Sequence, residues 1–438
     1  MTKIHEKDRR YRLLRFYVDI LFFSAYRRVE FHGKEKVPKD GAIIYAANHT
    51  NTLMDALAVL AIDKQEKVFV ARADIFKNPI ILKFLTFLKM LPINRKRDGI
   101  DTLSKNEDVN DIVVDAMQNR VPFCIMPEGT HHNIHNLMSL QKGLFRIALQ
   151  AYQTFGNQMP IYIVPVGIEF GHYYRYRSSI LVQIGTPINV SQSILAHPDL
   201  TPPQQMNMLR DALSNNLKEV ILHVPDDQNY SATWELSQLY GKKQHQRFIF
   251  NKNQLINRFN SVKEKISNVS SLFKTDQKET KHLAQMVNDF SRQRQMCGIG
   301  IDSVLKPHIR WSLVGRIVLF LLGLPIFIVS AVATSPVTLL SLFLCTKFKD
   351  KAFHNTVRLL TLLVMLPIVM LVGVTLFSIF LSYIWGILFF VLLYPSYIFL
   401  HESLRLVRLI ISDCKWLANR KLRKLCKKII YFNTKLII

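Results

Sequence analysis

The chain has 438 residues and carries 57 Lys and Arg against 32 Asp and Glu, a formal net charge of +25. This length suffices for two or three domains, and the charge favours anionic partners: lipid headgroups, phosphorylated substrates or nucleic acid. Hydrophobic residues make up 49% of the chain and concentrate near its C-terminus, which favours a membrane over nucleic acid. The five cysteines have no metal-ligand spacing and the N-terminus lacks a signal-peptide pattern, so we expect free thiols in a reducing compartment.

Residues 1–30 predict a helix at the membrane interface. Basic clusters such as Arg9-Arg10-Tyr11-Arg12 alternate with aromatic and aliphatic residues up to Arg28. The apolar run is too short to span a bilayer, but its Tyr, Phe and Arg content suits a helix in the headgroup region. The alternative is an amphipathic helix that packs on the following domain.

Residues 31–190 alternate between apolar runs of strand length and helical patterns, which predicts one α/β domain. The predicted strands are 29–33, 41–47, 67–72, 120–126, 161–168 and 180–185, and the predicted helices are 56–61, 80–91, 101–119 and 144–154. The helix over 80–91 is apolar nearly all round, so it belongs either in a core or against lipid acyl chains.

The catalytic candidates lie where the strand over 41–47 ends. Asn48 and His49 follow this strand directly, and Asp55 comes just before the next helix. In α/β folds, loops between a strand and a helix commonly carry the chemistry. An imidazole can accept a hydroxyl proton near neutral pH, and a carboxylate on its other nitrogen fixes the tautomer and stabilises the cation. The alternative is a polar loop in which Asp55 only begins a helix.

Two later loops carry groups that suit a phosphorylated substrate. Arg95, in the basic run 95–97, can hold a phosphate by a bidentate fork, although such a run can also be a solvated loop. Glu128, Gly129 and Thr130 follow the strand over 120–126. The carboxylate of Glu128 can bind a substrate hydroxyl or a cation, and Gly129 allows close backbone approach.

Three histidines, His131, His132 and His135, come directly after this loop. Zinc sites usually draw on tighter, mixed sets of ligands on defined elements. We therefore predict no metal centre here and interpret the histidines as part of a solvated polar loop.

The second half of the chain predicts a membrane-bound helical region. Residues 191–310 carry helical patterns without a catalytic constellation and predict a helical extension. Residues 311–400 contain two long apolar runs, the second of which has no charged residue over 359–400, and predict transmembrane helices. Residues 401–438 form a basic amphipathic tail, with ten Lys and Arg against two acidic residues, a net charge of +8.

Basic residues flank both apolar runs, and these flanks predict the orientation. Under the positive-inside rule all of them favour the cytoplasm, which requires each run to fold back as a hairpin. We therefore predict two hairpins, an integral membrane protein whose catalytic domain faces the cytoplasm, and a tail that rests on anionic headgroups. Two single spans, the alternative, would leave the loop over 346–358 outside.

The motifs at the strand ends resemble those of the glycerolipid acyltransferases, the PlsC-like family of glycerol-3-phosphate and 1-acylglycerol-3-phosphate acyltransferases. The motifs that carry the resemblance are Asn48-His49 with Asp55, Arg95 after an apolar helix, Pro127-Glu128-Gly129-Thr130, and Val164-Pro165-Val166. The resemblance covers roughly residues 30 to 190 and implies a mixed sheet with flanking helices.

Two positions depart from the family pattern. Five residues rather than four separate His49 from Asp55, a spacing that resembles the fungal type of glycerol-3-phosphate/dihydroxyacetone-phosphate acyltransferase. The extra residue must bulge in the loop or in the first helical turn if Asp55 is to reach the ring. His131 stands where the family usually has Arg or Ser.

The resemblance implies an O-acyltransferase of phospholipid synthesis that forms no covalent enzyme intermediate. In that mechanism His49 deprotonates a hydroxyl of a glycerol-phosphate acceptor, which attacks the thioester of acyl-CoA or acyl carrier protein, while Asp55 orients His49. Arg95 would hold the phosphate, and the Glu128-Gly129-Thr130 loop would position the glycerol backbone. The implied partners are the acyl donor, the phosphorylated acceptor and membrane phospholipid, with no cofactor beyond the donor.

Two rival functions stay open. A non-catalytic polybasic scaffold could use the same domain to bind membrane lipid. The charge of +25 alone suggests a nucleic-acid binder, but the basic residues cluster beside the apolar runs, so we expect no nucleic-acid partner. The sequence leaves the acyl donor open and leaves three acceptors: glycerol-3-phosphate, 1-acylglycerol-3-phosphate and dihydroxyacetone phosphate.

Overall fold

A computed structural model describes residues 4–94, 106–225, 227–241, 253–274 and 278–437. The chain divides into two compact units. Unit 1 consists of Met1–Ile221 with Phe348–Leu359, and unit 2 consists of Leu222–Lys347 with Leu360–Ile438. Unit 1 contains a mixed sheet with flanking helices and unit 2 is helical, which confirms the predicted fold class.

Unit 1 is organised around an eight-stranded sheet. Its strands are β1 (Tyr26–His32), β2 (Ala42–Ala47), β3 (Val68–Arg72), β4 (Met90–Ile93), β5 (Phe123–Ile125), β6 (Ile161–Phe170), β7 (Ser178–Ile184) and β8 (Ile188–Asn189). Neighbours follow the order β1-β7-β6-β2-β5-β3-β4, and β8 pairs with β6 off this path. The pairs are parallel except that β6 runs antiparallel to β7 and β8. All six residues of β2 are buried, as expected for a central strand that is covered on both faces.

Seven helices flank this sheet among the described residues of unit 1. They are α1 (Arg9–Ala25), α2 (Leu53–Leu60), α3 (Pro79–Phe87), α4 (Asn106–Gln118), α5 (Gly143–Phe155), α6 (Val190–Leu195) and α7 (Pro202–Val220). One core joins sheet residues such as Ile44 to Leu209, Leu213 and Leu217 of α7. The core of this unit therefore extends beyond residue 190, where the sequence placed the start of the helical extension.

The first helix both packs on the unit and exposes an apolar face. The Arg15 guanidinium donates to the carbonyl oxygens of Leu60, Asp63, Lys64 and Gln65, at 2.6–3.0 Å. On the other side of the helix, Leu13 and Phe16 are 73% and 65% exposed. The helix therefore packs on unit 1 through Arg15, and contact of its exposed face with a membrane stays a prediction.

The apolar segment over 80–91 is a short helix followed by a strand. Every residue of α3 is exposed or half-buried, so this helix does not belong to the core of the unit. Lys89 then takes a left-handed φ of 59°, which ends the helical turn and leads the chain into β4.

Unit 2 contains the long apolar helices. Its helices are α8 (Tyr230–Gly241), α9 (Gln254–Lys274), α10 (Lys278–Met296), α11 (Ile301–Leu305), α12 (Ile309–Ala333), α13 (Ser335–Thr346), α14 (His354–Phe380, which begins in unit 1), α15 (Tyr383–Ala418) and α16 (Arg420–Ile437). Three segments are long and apolar enough to cross a membrane: Ile309–Ala333, Lys351–Phe380 and Tyr383–Ala418. The shorter α13 is also apolar. Each predicted run therefore contains two helices.

The basic tail packs its apolar face inside unit 2. Leu422, Cys426 and Ile429 of α16 are buried in one core with Leu236 of α8 and Phe290 of α10. The apolar face of the tail thus packs in a helical bundle. Only its basic face is left for contact with anionic headgroups.

Candidate active site

The carboxyl ends of two parallel strands bring the central motifs together. β2 pairs with β5, with Ala46 opposite Ile125, so the loops after these strands are neighbours. On the other side of β2, the Asn48 side chain donates to the carbonyl oxygen of Ile168 at 3.0 Å and accepts from its N–H at 2.7 Å. This two-way hydrogen bond to β6 fixes the point at which the chain leaves β2 and turns into the loop that carries His49.

The His49 ring is held by the buried carboxylate of Asp55. Nδ1 of His49 lies 2.8 Å from Oδ2 of Asp55, whose side chain is fully buried. The same oxygen accepts from the N–H groups of Thr50 at 2.8 Å and Asn51 at 2.7 Å. Because an ionised carboxylate only accepts hydrogen bonds, this network assigns the ring proton to Nδ1 and leaves Nε2 with a lone pair. The His49 side chain is 20% exposed.

Between His49 and Asp55, Thr52 has an unusual backbone conformation. Thr52 has φ 47° and ψ −120° and stands immediately before α2. A positive φ is unusual for a β-branched residue and is typical of strained loops at functional sites. This turn lets Asp55 sit in the first turn of α2, where it reaches back to the His49 ring.

Glu128 joins the loop after β5 to the loop after β2. Its buried carboxylate accepts from the backbone N–H of His49 at 2.8 Å, from Nε2 of His132 at 2.6 Å and from the N–H of Met138 at 3.1 Å. The N–H of His132 in turn donates to the carbonyl oxygen of His49 at 3.2 Å. Both oxygens of Glu128 are thus occupied by protein donors, so this side chain positions the His49 backbone.

Of the other predicted substrate-binding residues, the structure describes Gly129 and Thr130 but not Arg95. Gly129 has φ 69°, and an added Cβ would lie 3.2 Å from the Gln141 side chain, so both conformation and space favour glycine. Thr130 is half-buried in the same turn. Arg95 lies outside the described residues, with the rest of its basic run, so its role stays a prediction.

The three histidines after this loop are each paired with a different carboxylate. His131 meets Asp350 at 2.7 Å, His132 meets Glu128 at 2.6 Å, and His135 meets Glu169 at 3.1 Å; their side chains are 22%, 13% and 11% exposed. Each ring therefore contacts a carboxylate and is largely shielded from solvent, and the interpretation as a solvated loop was wrong. Within the described residues, His, Cys, Asp and Glu form no group of three that could hold a metal ion.

The contact with Glu128 changes the pKa of His132. Burial of its ring opposes the charged form, but the hydrogen bond and the negative charge of Glu128 outweigh it and raise the pKa of His132 above 6.5. At mildly acidic pH the His132 ring is thus charged and supports the contact between the two loops.

One part of the site was missed by the sequence reasoning. The segment Phe348–Leu359 belongs to unit 1, and Asp350 reaches the His131 ring from it. The partners are 219 positions apart, so no local pattern relates them.

The chemistry available here is that of a general base. A neutral imidazole with its tautomer fixed by a buried carboxylate can take a proton at Nε2, and the carboxylate stabilises the cation that forms. The arrangement suits removal of a proton from a hydroxyl group.

Part of unit 1 is similar to known acyltransferases. The family model described as Acyltransferase matches residues 28–169, which include β2 to β5 and the residues of the His49 and Glu128 network. Glycerol-3-phosphate O-acyltransferase 1 of Saccharomyces cerevisiae is 28% identical over 118 residues, which cover 26% of this chain and 15% of the yeast protein. Glycerol-3-phosphate O-acyltransferase 2 of the same yeast is 26% identical over 121 residues, which cover 28% of this chain and 16% of that protein.

The chain thus matches only about one sixth of the length of these yeast relatives. Among solved structures, the crystal structure of the 1-acyl-sn-glycerophosphate (LPA) acyltransferase PlsC from Thermotoga maritima aligns with 49% of this chain and 83% of its own. That alignment has 18% sequence identity and a TM-score of 0.34.

Proposed function

We propose that this chain transfers a fatty acyl group to a hydroxyl of a glycerol-phosphate acceptor, because its residues 28–169 match the Acyltransferase family model. The donor is an acyl thioester, either acyl-CoA or acyl carrier protein, and the acceptor is glycerol-3-phosphate or 1-acylglycerol-3-phosphate. The observation that carries the proposal is the 2.8 Å contact between Nδ1 of His49 and the buried Asp55 carboxylate at the end of β2.

His49 acts as the general base in this reaction. Nε2 takes the proton of the acceptor hydroxyl while that oxygen forms a bond to the thioester carbonyl carbon. The C–S bond then breaks, and the leaving thiolate takes the proton back from His49. Asp55 keeps the ring in the required tautomer and stabilises the imidazolium between the two transfers. The reaction moves no electrons between redox centres, and we propose no metal or redox cofactor.

The surrounding groups have separate roles. Glu128 keeps the His49 backbone in place through its three hydrogen bonds, and Gly129 lets the acceptor approach the backbone of the turn. We assign the acceptor phosphate to Arg95 on the family motif alone, and the glycerol backbone to the turn that includes Thr130. A catalytic domain on the cytoplasmic face of a membrane would meet a soluble donor and a lipid product at one surface.

The proposal is tested by assaying the full chain in nanodiscs with labelled acyl-CoA and each acceptor in turn. We expect wild type to form a labelled acylglycerol phosphate, and His49→Ala and Asp55→Asn each to lower the rate by about 10³-fold or more, because the base or its tautomer is lost. His197→Ala, at an exposed histidine of unit 1, is the control and should keep the wild-type rate. Unchanged transfer by His49→Ala would exclude the general base, and absence of transfer by wild type would favour the non-catalytic lipid-binding scaffold.

A further inference from the structure

We propose that the segment Phe348–Leu359, called here the bridging segment, forms a wall of the acyl-transfer site. Within it, Asp350 is a positioning residue that holds the His131 ring beside His49, where the phosphorylated acceptor binds. This inference rests on the proposed function of the site and adds to it a part of the chain that lies between the two apolar runs.

The bridging segment is docked on unit 1 by buried polar contacts. Asn355 is 5% exposed, and its Nδ2 donates to the carbonyl oxygen of Tyr173 at 2.6 Å. The same carbonyl accepts from Nδ2 of Asn51 at 2.7 Å, so one acceptor ties the segment to the His49 loop. Arg358 adds a hydrogen bond to the carbonyl oxygen of Tyr174 at 2.8 Å.

A second set of contacts reaches the strained residue of the catalytic loop. The hydroxyl of Thr52 lies 2.8 Å from that of Thr356 and 3.3 Å from the carbonyl oxygen of Ala352, which is itself buried. Thr52 lies between His49 and Asp55 and has a positive φ. The bridging segment therefore contacts the loop that joins the base to its carboxylate.

The third set of contacts places a ring next to the base. Oδ2 of Asp350 lies 2.7 Å from Nε2 of His131, while Oδ1 accepts from the N–H of Ala352 at 2.9 Å. The His131 ring packs edge-on against Phe353, with centroids 5.3 Å apart, and against His49, with centroids 5.7 Å apart. The hydrogen bonds from His131 and Ala352 lower the pKa of Asp350, so the carboxylate is ionised at neutral pH. His131 is thereby clamped between the segment and the catalytic imidazole.

The positive charge of the bridging segment favours contact with the phosphorylated acceptor over contact with the acyl chain. The bridging segment carries three Lys and Arg against the single carboxylate of Asp350. Lys349 and Lys351 are exposed, and both flank the residue that holds His131. A cationic, hydrogen-bonding wall attracts a phosphorylated acceptor and offers little to a hydrocarbon chain.

A double-mutant cycle between Asp350 and His131 tests the positioning role. Steady-state kinetics are measured in nanodiscs with acyl-CoA and whichever acceptor the wild type uses, for wild type, Asp350→Ala, His131→Ala and the double variant. We expect Asp350→Ala to raise the KM for the acceptor about tenfold, as for one lost hydrogen bond to a charged group, while the KM for acyl-CoA stays unchanged. The double variant should be no worse than His131→Ala, because Asp350 acts through that ring.

The control is Asp199→Ala, which removes the same charge from an exposed position of unit 1 and should leave both KM values unchanged. An acceptor KM for Asp350→Ala equal to that of wild type, or additive effects in the double variant, would overturn the proposal while His49→Ala still established the acyltransferase. Loss of all transfer in wild type instead overturns the proposed function, and this inference with it.

A disulfide tests whether the wall is present during turnover. The 2.8 Å separation of the two hydroxyl oxygens predicts that cysteines replacing Thr52 and Thr356 can be oxidised to a disulfide, which peptide mapping detects. We expect the oxidised and reduced forms of this double variant to transfer acyl groups at the same rate. Failure to cross-link, or activity that appears only after reduction, would show that the segment does not line the working site.

Discussion

At the scale of single residues, the site is a set of histidines that each have their own carboxylate. Asp55 holds His49, Glu128 holds His132 and Asp350 holds His131. A carboxylate that accepts from an imidazole N–H fixes the tautomer and the ring orientation together. Glu128 also binds the backbone N–H of His49, so the base is held through its main chain as well as through its ring.

The raised pKa of His132 predicts how stability depends on pH. A group whose pKa is raised on folding stabilises the folded state fully below its unfolded pKa, here 6.5, and this contribution is lost as the pH rises through the folded pKa. We expect the thermal midpoint of wild type to exceed that of His132→Asn most at pH 6 and below, with the gap narrowing as the pH increases. Scanning fluorimetry of the full chain across pH 5–9 measures this. A gap that widens with pH would contradict the assignment.

At the scale of elements, Thr52 at the start of α2 has a strained backbone and also contacts the bridging segment. The backbone angles of Thr52 suit glycine, yet its hydroxyl binds the bridging segment. The two effects can be separated because alanine keeps the strain of a Cβ and glycine relieves it, while both lack the hydroxyl.

We therefore expect Thr52→Gly to be more stable than Thr52→Ala by about 1 kcal/mol, the reverse of the order in a helix. Thr154, near the end of α5, is the matched site at which glycine should be the less stable of the two. Chemical denaturation of the four variants gives both differences. Alanine more stable than glycine at position 52 would mean that this backbone conformation carries no strain.

Most strands and helices could be predicted from the sequence, but part of the site could not. β2 and β5 are short buried runs that end in the motifs, so their parallel pairing brings His49 and Glu128 together without further information. β4 was missed because Pro92 breaks its pattern, but β4 is an edge strand, where a missing N–H costs little. The contact between His131 and Asp350 joins residues 219 positions apart and depends on how the chain returns from the apolar region, which periodicity does not encode.

At the scale of the whole molecule, the bridging segment constrains the path of the chain through a membrane. It belongs to the same compact unit as the sheet, so we expect both to lie on one side of a bilayer. α13 has 12 residues, or about 18 Å of helix, which is too short for a hydrocarbon core of about 30 Å. We therefore predict that the first run enters and leaves the membrane on one side, as a re-entrant hairpin.

The second run has the length for a complete hairpin. α14 and α15 have 27 and 36 residues and are separated by a break at Leu381 and Ser382. Near that break, the rings of Phe377 and Phe389 stack with centroids 5.0 Å apart, so the two helices pack against each other. We therefore predict that the turn at 381–382 lies on the side of the membrane opposite to the sheet.

Single cysteines in sealed vesicles test this path. Starting from a variant without the five native cysteines, one cysteine replaces Lys349, Asp199 or Ser382, and a membrane-impermeant maleimide is added before or after permeabilisation. We expect positions 349 and 199, both exposed in unit 1, to be labelled from the same side. Position 382 should be labelled from the other side or resist labelling, because a hairpin turns there. If the apolar runs were two single spans, position 349 would instead be labelled from the side opposite to position 199, and the contact between Asp350 and His131 could not form in the membrane.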